Sequence, residues 1–389
     1  MSSLRAALEQ ALFDNPDDRA AHAAYADLLA EQGDPRGEFI QVQLALEDPA
    51  CTGEKRRELE YREQMLLTHE REWLGELAPH LFEDGRHHRL HNHWSWSRGW
   101  LDEVFLWMPG LDSIRALARC PAAHLLEGLE LGEVGYQTDY EPRPDDGIPE
   151  GSEYPCLYPL LKAPFLANLR FFRLGEEVNF EEGHYNCRTS GEGAADLVAR
   201  MPRLVDLQLL ADETDLRRLF SLPNLTRLLS LLVYHDRDRY PLEALAANPA
   251  LAALERLRLH PAHSYTGEPG SLPLEVITPL LRSPHLGSLK HLHLHGSSMG
   301  DAGCQEVVRS GVLRRLETLD LRWGCITEEG ARVLASSPDV RRLKSLRVDH
   351  NQLTGEGLAL LGALGIPDLT SAGQDEPGSD EYLYTGDME

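Results

Sequence analysis

An α/β solenoid is the fold class this 389-residue sequence predicts. Parallel strands should line the concave side of a horseshoe, helices its convex side, and a small all-α domain should precede them. The first observation behind this is a 27-residue period near the C-terminus. Leu289, Leu292, Leu294 and Met299 return in phase as Leu316, Leu319, Leu321 and Ile326, then as Leu343, Leu346, Val348 and Leu353. The second is that the register holds beyond the strand, with Gly303, Gly330 and Gly357 in one column and Val307, Leu334 and Leu361 in another. The third is that the first 80 residues carry apolar side chains only at helical spacing. One strand and one helix of this length cannot bury their apolar faces alone, so stacking is obligatory.

The N-terminal elements follow from local chemistry. Leu4, Ala7, Leu8, Ala11 and Leu12 predict a first helix, which Asn15-Pro16 ends because proline disfavours helical geometry in the residue before it. A second helix is expected over residues 18–32, with Ala21, Tyr25, Leu28 and Leu29 inward, stopping at Gly33. Asp34 is a good N-cap and Pro35 fits the first helical position, so a third helix carries Phe39, Ile40, Gln43 and Leu44. Residues 54–77 read as one longer helix, with Leu59, Met65, Leu66, Trp73 and Leu77 as its apolar members.

Within this region Asn15-Pro16-Asp17-Asp18, Tyr25-Ala26-Asp27-Leu28-Leu29 and the run from Gly33 to Gln43 resemble the bacterial repeat-companion domain, a module of planctomycetes and myxobacteria. Leu29 departs from it at a position where tryptophan is common. Arg98-Gly99-Trp100-Leu101-Asp102-Glu103-Val104 is similar to that family's entry into the first strand. The resemblance implies an architecture, a module that precedes repeats, and no particular activity. The expected organisation is a helical domain over 1–80, a linker over 81–99, a solenoid over 100–370 and a disordered acidic tail over 371–389, in which Tyr382-Leu383-Tyr384 is a candidate docking motif.

The 27-residue units are similar to leucine-rich repeats of the ribonuclease-inhibitor class. Backward from them, strand cores are expected at Leu257-Arg258-Leu259, Leu231-Leu232-Val233, Leu207-Gln208-Leu209, Phe172-Arg173-Leu174, Leu129-Glu130-Leu131 and Val104-Phe105-Leu106, about nine strands in all. The resemblance implies an asparagine after each strand. Asn351 obeys, while Ser297 and Gly324 depart and imply less rigid turns. Residues 133–153, 175–193 and 261–271 are polar insertions, each following a strand, and long loops of this kind either contact partners or stay solvated.

A net charge of −25 opposes non-specific attraction to nucleic acid or anionic lipid. No stretch reaches the roughly 18 apolar residues of a spanning helix, and the first ten residues lack the apolar core of a signal peptide. A soluble cytoplasmic protein is expected. The six cysteines form no C-x-x-C pair and read as reduced thiols. No G-x-S-x-G, P-loop or H-E-x-x-H occurs, and the run 86–93, rich in histidine and arginine, lacks metal-ligand spacing and reads as solvated linker.

Side chains between the strand leucines alternate outward, in columns about 4.8 Å apart. One column reads Leu232, Arg258, His293, Asp320, Arg347; the next Tyr234, His260, His295, Arg322, Asp349; a third carries His235, Trp323 and His350. This face is basic, aromatic and rich in histidine, whereas Glu130, Glu133 and Glu176 mark the earlier strands, so the solenoid reads as bipolar. Three readings stand. The charges satisfy one another, Asp320 between His293 and Arg347 and Arg322 between His295 and Asp349. Alternatively Tyr234, Trp323 and the arginines anchor a protein partner with an acidic surface. Metal binding by His260, His291, His293 and His295 is the third, disfavoured because neighbouring outward positions on one strand lie roughly 6–7 Å apart; neither metal nor cofactor is expected. The resulting expectation is a non-enzymatic interaction scaffold. Its alternative is a substrate-selecting or regulatory component whose N-terminal module holds an unrecognised activity, with Tyr25, Asp27, Arg36 and Glu38 lining a pocket.

Overall fold

The computed structural model describes residues 3–82, 92–135, 143–175, 189–234, 240–260 and 272–376. The chain forms two compact units, Met1–Gly132 with Gln137–Phe171, and Glu133–Tyr136 with Phe172–Glu389.

In the first unit α1 spans Ser3–Asp14, α2 Arg19–Glu31 and α3 Pro35–Leu46. The expected cap at Asp34 forms, accepting from the Arg36 amide with Pro35 in the first turn, and Asp18 caps α2 in the same way by accepting from the amides of Ala20 and Ala21. The single long helix expected over 54–77 is instead α4 (Gly53–Leu66), α5 (Glu70–Leu74) and α6 (Ala78–Phe82), joined by two short 3-10 turns. Gly75, at φ 55°, breaks the path and lets Leu74, Leu77 and Leu81 all turn inward.

The expected linker also yields structure. Residues His93–Ser97 form β1, an antiparallel partner of β2 (Trp100–Leu106), through the turn at Arg98 and Gly99. Strand β3 (Gly128–Leu131) then pairs with β2 in parallel, after α7 (Leu111–Arg119). The helices bury this hairpin. Tyr25 stacks on Trp100 at 5.3 Å between centroids, and Phe39 meets both Trp73 and Trp96. Leu12, Leu29, Ile40, Leu44, Trp100 and Leu125 close one core, while Phe39, Val42 and Leu66 centre a second.

The motif residues of the helical module hold the hairpin turn. Buried Arg36 donates from Nε to the Gly99 carbonyl at 2.6 Å and lays its guanidinium 4.2 Å over the Trp100 ring. Gln43 accepts from the Gly99 amide at 2.7 Å and donates to the Trp96 carbonyl at 3.1 Å. Arg98 reaches Glu47 at 2.6 Å and the Pro16 carbonyl at 3.2 Å. Gly37 is required by contact, since a Cβ there would sit 2.5 Å from the Ala26 carbonyl oxygen across the α2–α3 crossing. In the first insertion, residues 143–153 lie among the described residues. Buried Asp146 receives Arg115 Nε at 2.8 Å and Nη2 at 2.5 Å, which fixes that stretch.

The second unit repeats strand and helix. Strands β4 (Phe171–Leu174), β5 (Asp206–Leu210), β6 (Ser230–Tyr234), β7 (Arg256–His260), β8 (His291–Leu294), β9 (Thr318–Asp320), β10 (Ser345–Arg347) and β11 (Asp368–Thr370) follow in chain order. From β5 onward every pairing is parallel. Helices α8 (Ala194–Val198), α9 (Leu216–Phe220), α10 (Leu242–Ala247), α11 (Leu274–Leu281), α12 (Gly300–Ser310), α13 (Glu328–Ser336) and α14 (Gly355–Gly362) return the chain. The repeat leucines are buried, and so are Gly303, Gly330 and Gly357, where α12, α13 and α14 pack side by side.

Eleven strands are thus present among the described residues, against about nine expected. The additional ones are β1 and β11. Leu369 of β11 pairs with Leu346 but comes four residues early for the 27-residue period, so the periodic pattern missed it. The expected tail is also bound at its start. Gln374 accepts from the Leu353 amide at 3.0 Å and donates to the Val348 carbonyl at 2.9 Å, and the Asp375 amide meets the Asn351 carbonyl at 2.7 Å. The Tyr382-Leu383-Tyr384 motif, His235, Glu176, Cys187 and the insertion 261–271 lie outside the described residues. Cys51, Cys120, Cys156, Cys304 and Cys325 form no disulfide among the described residues; burial pushes Cys156 up to about 11.

Candidate functional site

The face of β6–β10 away from the leucines carries a cleft of about 780 Å³, with Arg256, Arg258, His293, Asp320 and Arg347 among its lining. Its columns are fixed by strand register. Leu232 pairs with Arg258, Arg258 with His293, His293 with Asp320, and Asp320 with Arg347, in the order read from sequence. A second column beside it runs through Arg256, His291, Thr318 and Ser345.

The charges do not pair as the ladder reading has them. Asp320, 1% exposed, turns to His295, whose Nε2 lies 2.8 Å from Oδ2, and to its own neighbour Arg322, at 3.1 Å from Nε to Oδ1 and 2.9 Å from Nη2 to Oδ2. His293 Nδ1 stands 3.8 Å from the same Oδ2. Arg322 therefore binds Asp320 rather than Asp349. Asp349 instead receives the Ala372 amide at 2.7 Å and the Thr370 hydroxyl. Arg256, Arg258 and Arg347 have no side-chain hydrogen bond or ion pair among the described residues.

Electrostatics follow from this placement. Burial pushes Asp320 toward neutrality, but His295 and Arg322 outweigh it and hold the carboxyl below the usual range. Burial brings His293 down to about 3; Asp320 opposes that shift, while His295, Arg258 and Arg322 add to it. Its imidazole is neutral at pH 7. Partial burial and the charge of Arg256 lower the Arg258 pKa. A cation that keeps a like charge as neighbour is one that an incoming anion relieves.

Burial also sorts the candidate residues. Tyr234, His260, His295 and Asp320 are buried, so Tyr234 is not an anchor offered to solvent. It packs on Leu210 and Leu232 and meets the His260 ring at 4.3 Å. Arg258 is exposed, and His293, Arg322, Trp323, Arg347, Asp349 and His350 are half-buried. Alternation alone does not separate these groups, because it fixes the face of the sheet and not the exposure of a side chain. Trp323 and His350 stack face to face at 4.6 Å with planes 3° apart. Both backbones are left-handed, at φ 52° and 53°, in the column where the preceding repeat places Gly296. Such geometry costs a bulky residue roughly 1–2 kcal/mol, and strain of this kind clusters at functional sites.

The sequence reading missed Arg256. The columns taken from sequence ran through positions between and after the strand leucines, with His291 alone from the position before them, yet that position faces the same side by the period-two rule. The other proposed site, Tyr25, Asp27, Arg36 and Glu38, does not assemble. Tyr25 donates to Glu9 at 2.9 Å, Asp27 accepts from Gln41 at 2.9 Å, Glu38 holds Arg62 in two contacts of 2.6 Å, and Arg36 is committed to Gly99.

Residues 313–335 and 341–362 match the family model described as Leucine Rich repeat, and these segments are leucine-rich repeats. No curated protein matches the chain. Among solved structures, a protein from Bacteroides fragilis is similar at 18% identity and TM-score 0.48, over 68% of this chain and 70% of that one. A chain of the Rad7 and Elc1 complex from yeast gives 14% and 0.38, over 65% of each chain. An internalin from Listeria monocytogenes gives 15% and 0.28, over 69% of this chain and 86% of that one. Among the described residues no helix is long and apolar enough to cross a membrane.

Proposed function

We propose that the protein is a non-enzymatic interaction scaffold whose cleft on the strand face takes an acidic surface of a protein partner, with the N-terminal helices acting as a repeat-companion cap. The observation that carries this reading is the set of three arginines, Arg256, Arg258 and Arg347, lining one cleft without a side-chain partner among the described residues of a chain of net charge −25. Arginine and tryptophan are the residues that most often dominate binding energy at protein interfaces. The strained Trp323–His350 stack supplies the aromatic component.

Arg322→Ala is no clean probe of binding, because Arg322 neutralises buried Asp320. Trp323→Gly is the better probe. It removes the left-handed strain while losing the His350 stack, the edge contact to His295 and the Arg322 contact, so stability should fall by no more than about 2 kcal/mol. Arg258→Glu with Arg347→Glu reverses charges that make no side-chain hydrogen bond or ion pair among the described residues, with thermal unfolding as the check on the fold. Proteins captured by the intact chain from its native host should be lost with both variants and in high salt, where surface charge is screened. A partner retained by both variants would sink the reading.

A further inference from the structure

We propose that His293, His295 and Asp320 form a site for a divalent transition metal of the zinc type at the floor of the cleft. The inference is independent of the partner reading. One ligand atom from each residue lies within 4.8 Å of the other two. His293 and His295 are alternate residues at the end of β8 and direct their rings to one side, 6.3 Å apart between centroids and nearly parallel. Asp320 enters from β9. Backbone spacing alone argued against histidines on one strand, but the side chains converge and the third donor comes from the neighbouring strand.

Two donors already converge on Asp320 Oδ2 beside His295 Nε2. That atom is 2.8 Å from Asp320 Oδ2 and 2.9 Å from Arg322 Nη2. A neutral imidazole nitrogen either donates or accepts. As a donor, Nε2 shares Oδ2 with Arg322 Nη2, which satisfies both; a metal would replace the proton between Nε2 and Oδ2 and take a lone pair from each. Tetrahedral zinc, with bonds of roughly 2.0–2.2 Å, sets its ligands about 3.3 Å apart. The present spacings of 2.8 Å and 3.8 Å to Oδ2 bracket that value.

Two imidazoles and one carboxylate suit zinc and its neighbours better than calcium or magnesium, and the fourth position would open to the cleft. Arg322 is the competitor. Its backbone amide and Nε lie 3.1 Å from Oδ1 and can remain as outer support, whereas Nη2 must leave Oδ2 for a metal to enter. The guanidinium thus holds the site closed when no metal is bound.

The test uses the full chain with His87, His88 and His91 changed to Gln, so that the histidine run before β1 binds nothing. Equilibrium dialysis against ZnCl2 should give one zinc per chain, and CoCl2 should give visible d–d bands. His293→Gln and His295→Gln should each weaken zinc binding by more than roughly tenfold. His291→Gln should leave it unchanged, since His291 Nδ1 faces the Thr318 hydroxyl at 2.9 Å. Arg322→Gln should tighten it by removing the competing charge. Circular dichroism checks each fold, and His293→Gln, at a half-buried ring, decides the matter should His295→Gln unfold. No zinc bound by the parent chain, or equal binding in parent and His293→Gln, overturns the proposal.

Discussion

Asn351→Ala is expected to lower the stability of the C-terminal repeats by about 2–5 kcal/mol. The side chain is fully buried and spans two repeats. Its Oδ1 accepts from the amides of Gly324 and Ile326, both at 3.0 Å, and its Nδ2 donates to the carbonyls of Leu321, Val348 and Asp349. Alanine leaves two buried amides without acceptors, each costing about 1–3 kcal/mol. Asn351→Asp keeps the acceptor but turns an oxygen toward three carbonyls, so it should be no milder. Because each repeat of such an array contacts mainly its neighbours, the loss should show as a separate early phase in urea unfolding. A change below 1 kcal/mol would mean that water replaces the asparagine in this turn.

Gly99→Val should destabilise the first unit by about 2–5 kcal/mol, summing left-handed strain and overpacking. Gly99 has φ 76°, and a Cβ built there would lie 2.3 Å from Ile40 Cγ1. The same turn receives Arg36 and Gln43, so its displacement opens the contact between the helical module and the β1–β2 hairpin. Thermal unfolding of the intact variant measures the effect. Deleting residues 1–90 should act in the same direction and produce aggregation, because it uncovers Trp96 and Trp100. A deleted chain that stays monomeric and equally heat-stable would instead make the module an independent appendage.

The elements written in local chemistry were legible. Asp34 caps because a short acceptor precedes its helix, and the 27-residue column of leucines places β8, β9 and β10 without further information. Strand β1 was hidden. Its residues His93–Ser97 mix histidine, tryptophan and serine, and they become a strand only because the helices offer Phe39 and Trp73 to cover Trp96. The long helix was overread for a related reason, since the turn at Gly75 serves a packing demand that helical periodicity does not display.

At the candidate site the sequence by itself determined which residues share a column, because strand register follows from the buried leucines and a slip of one residue would expose all of them. It could not determine which charges meet. Arg322 had Asp349 in its own column and Asp320 two residues away, and only the turn that follows β9 brought its guanidinium onto Asp320. Burial was likewise decided in three dimensions: Leu232 and Arg258 stand at equivalent outward positions, yet one is covered by its neighbours and the other reaches solvent. Periodicity is a property of the backbone, which local sequence sets. Pairing, exposure and the convergence of His293, His295 and Asp320 depend on side chains from separate strands, which only the assembled sheet positions.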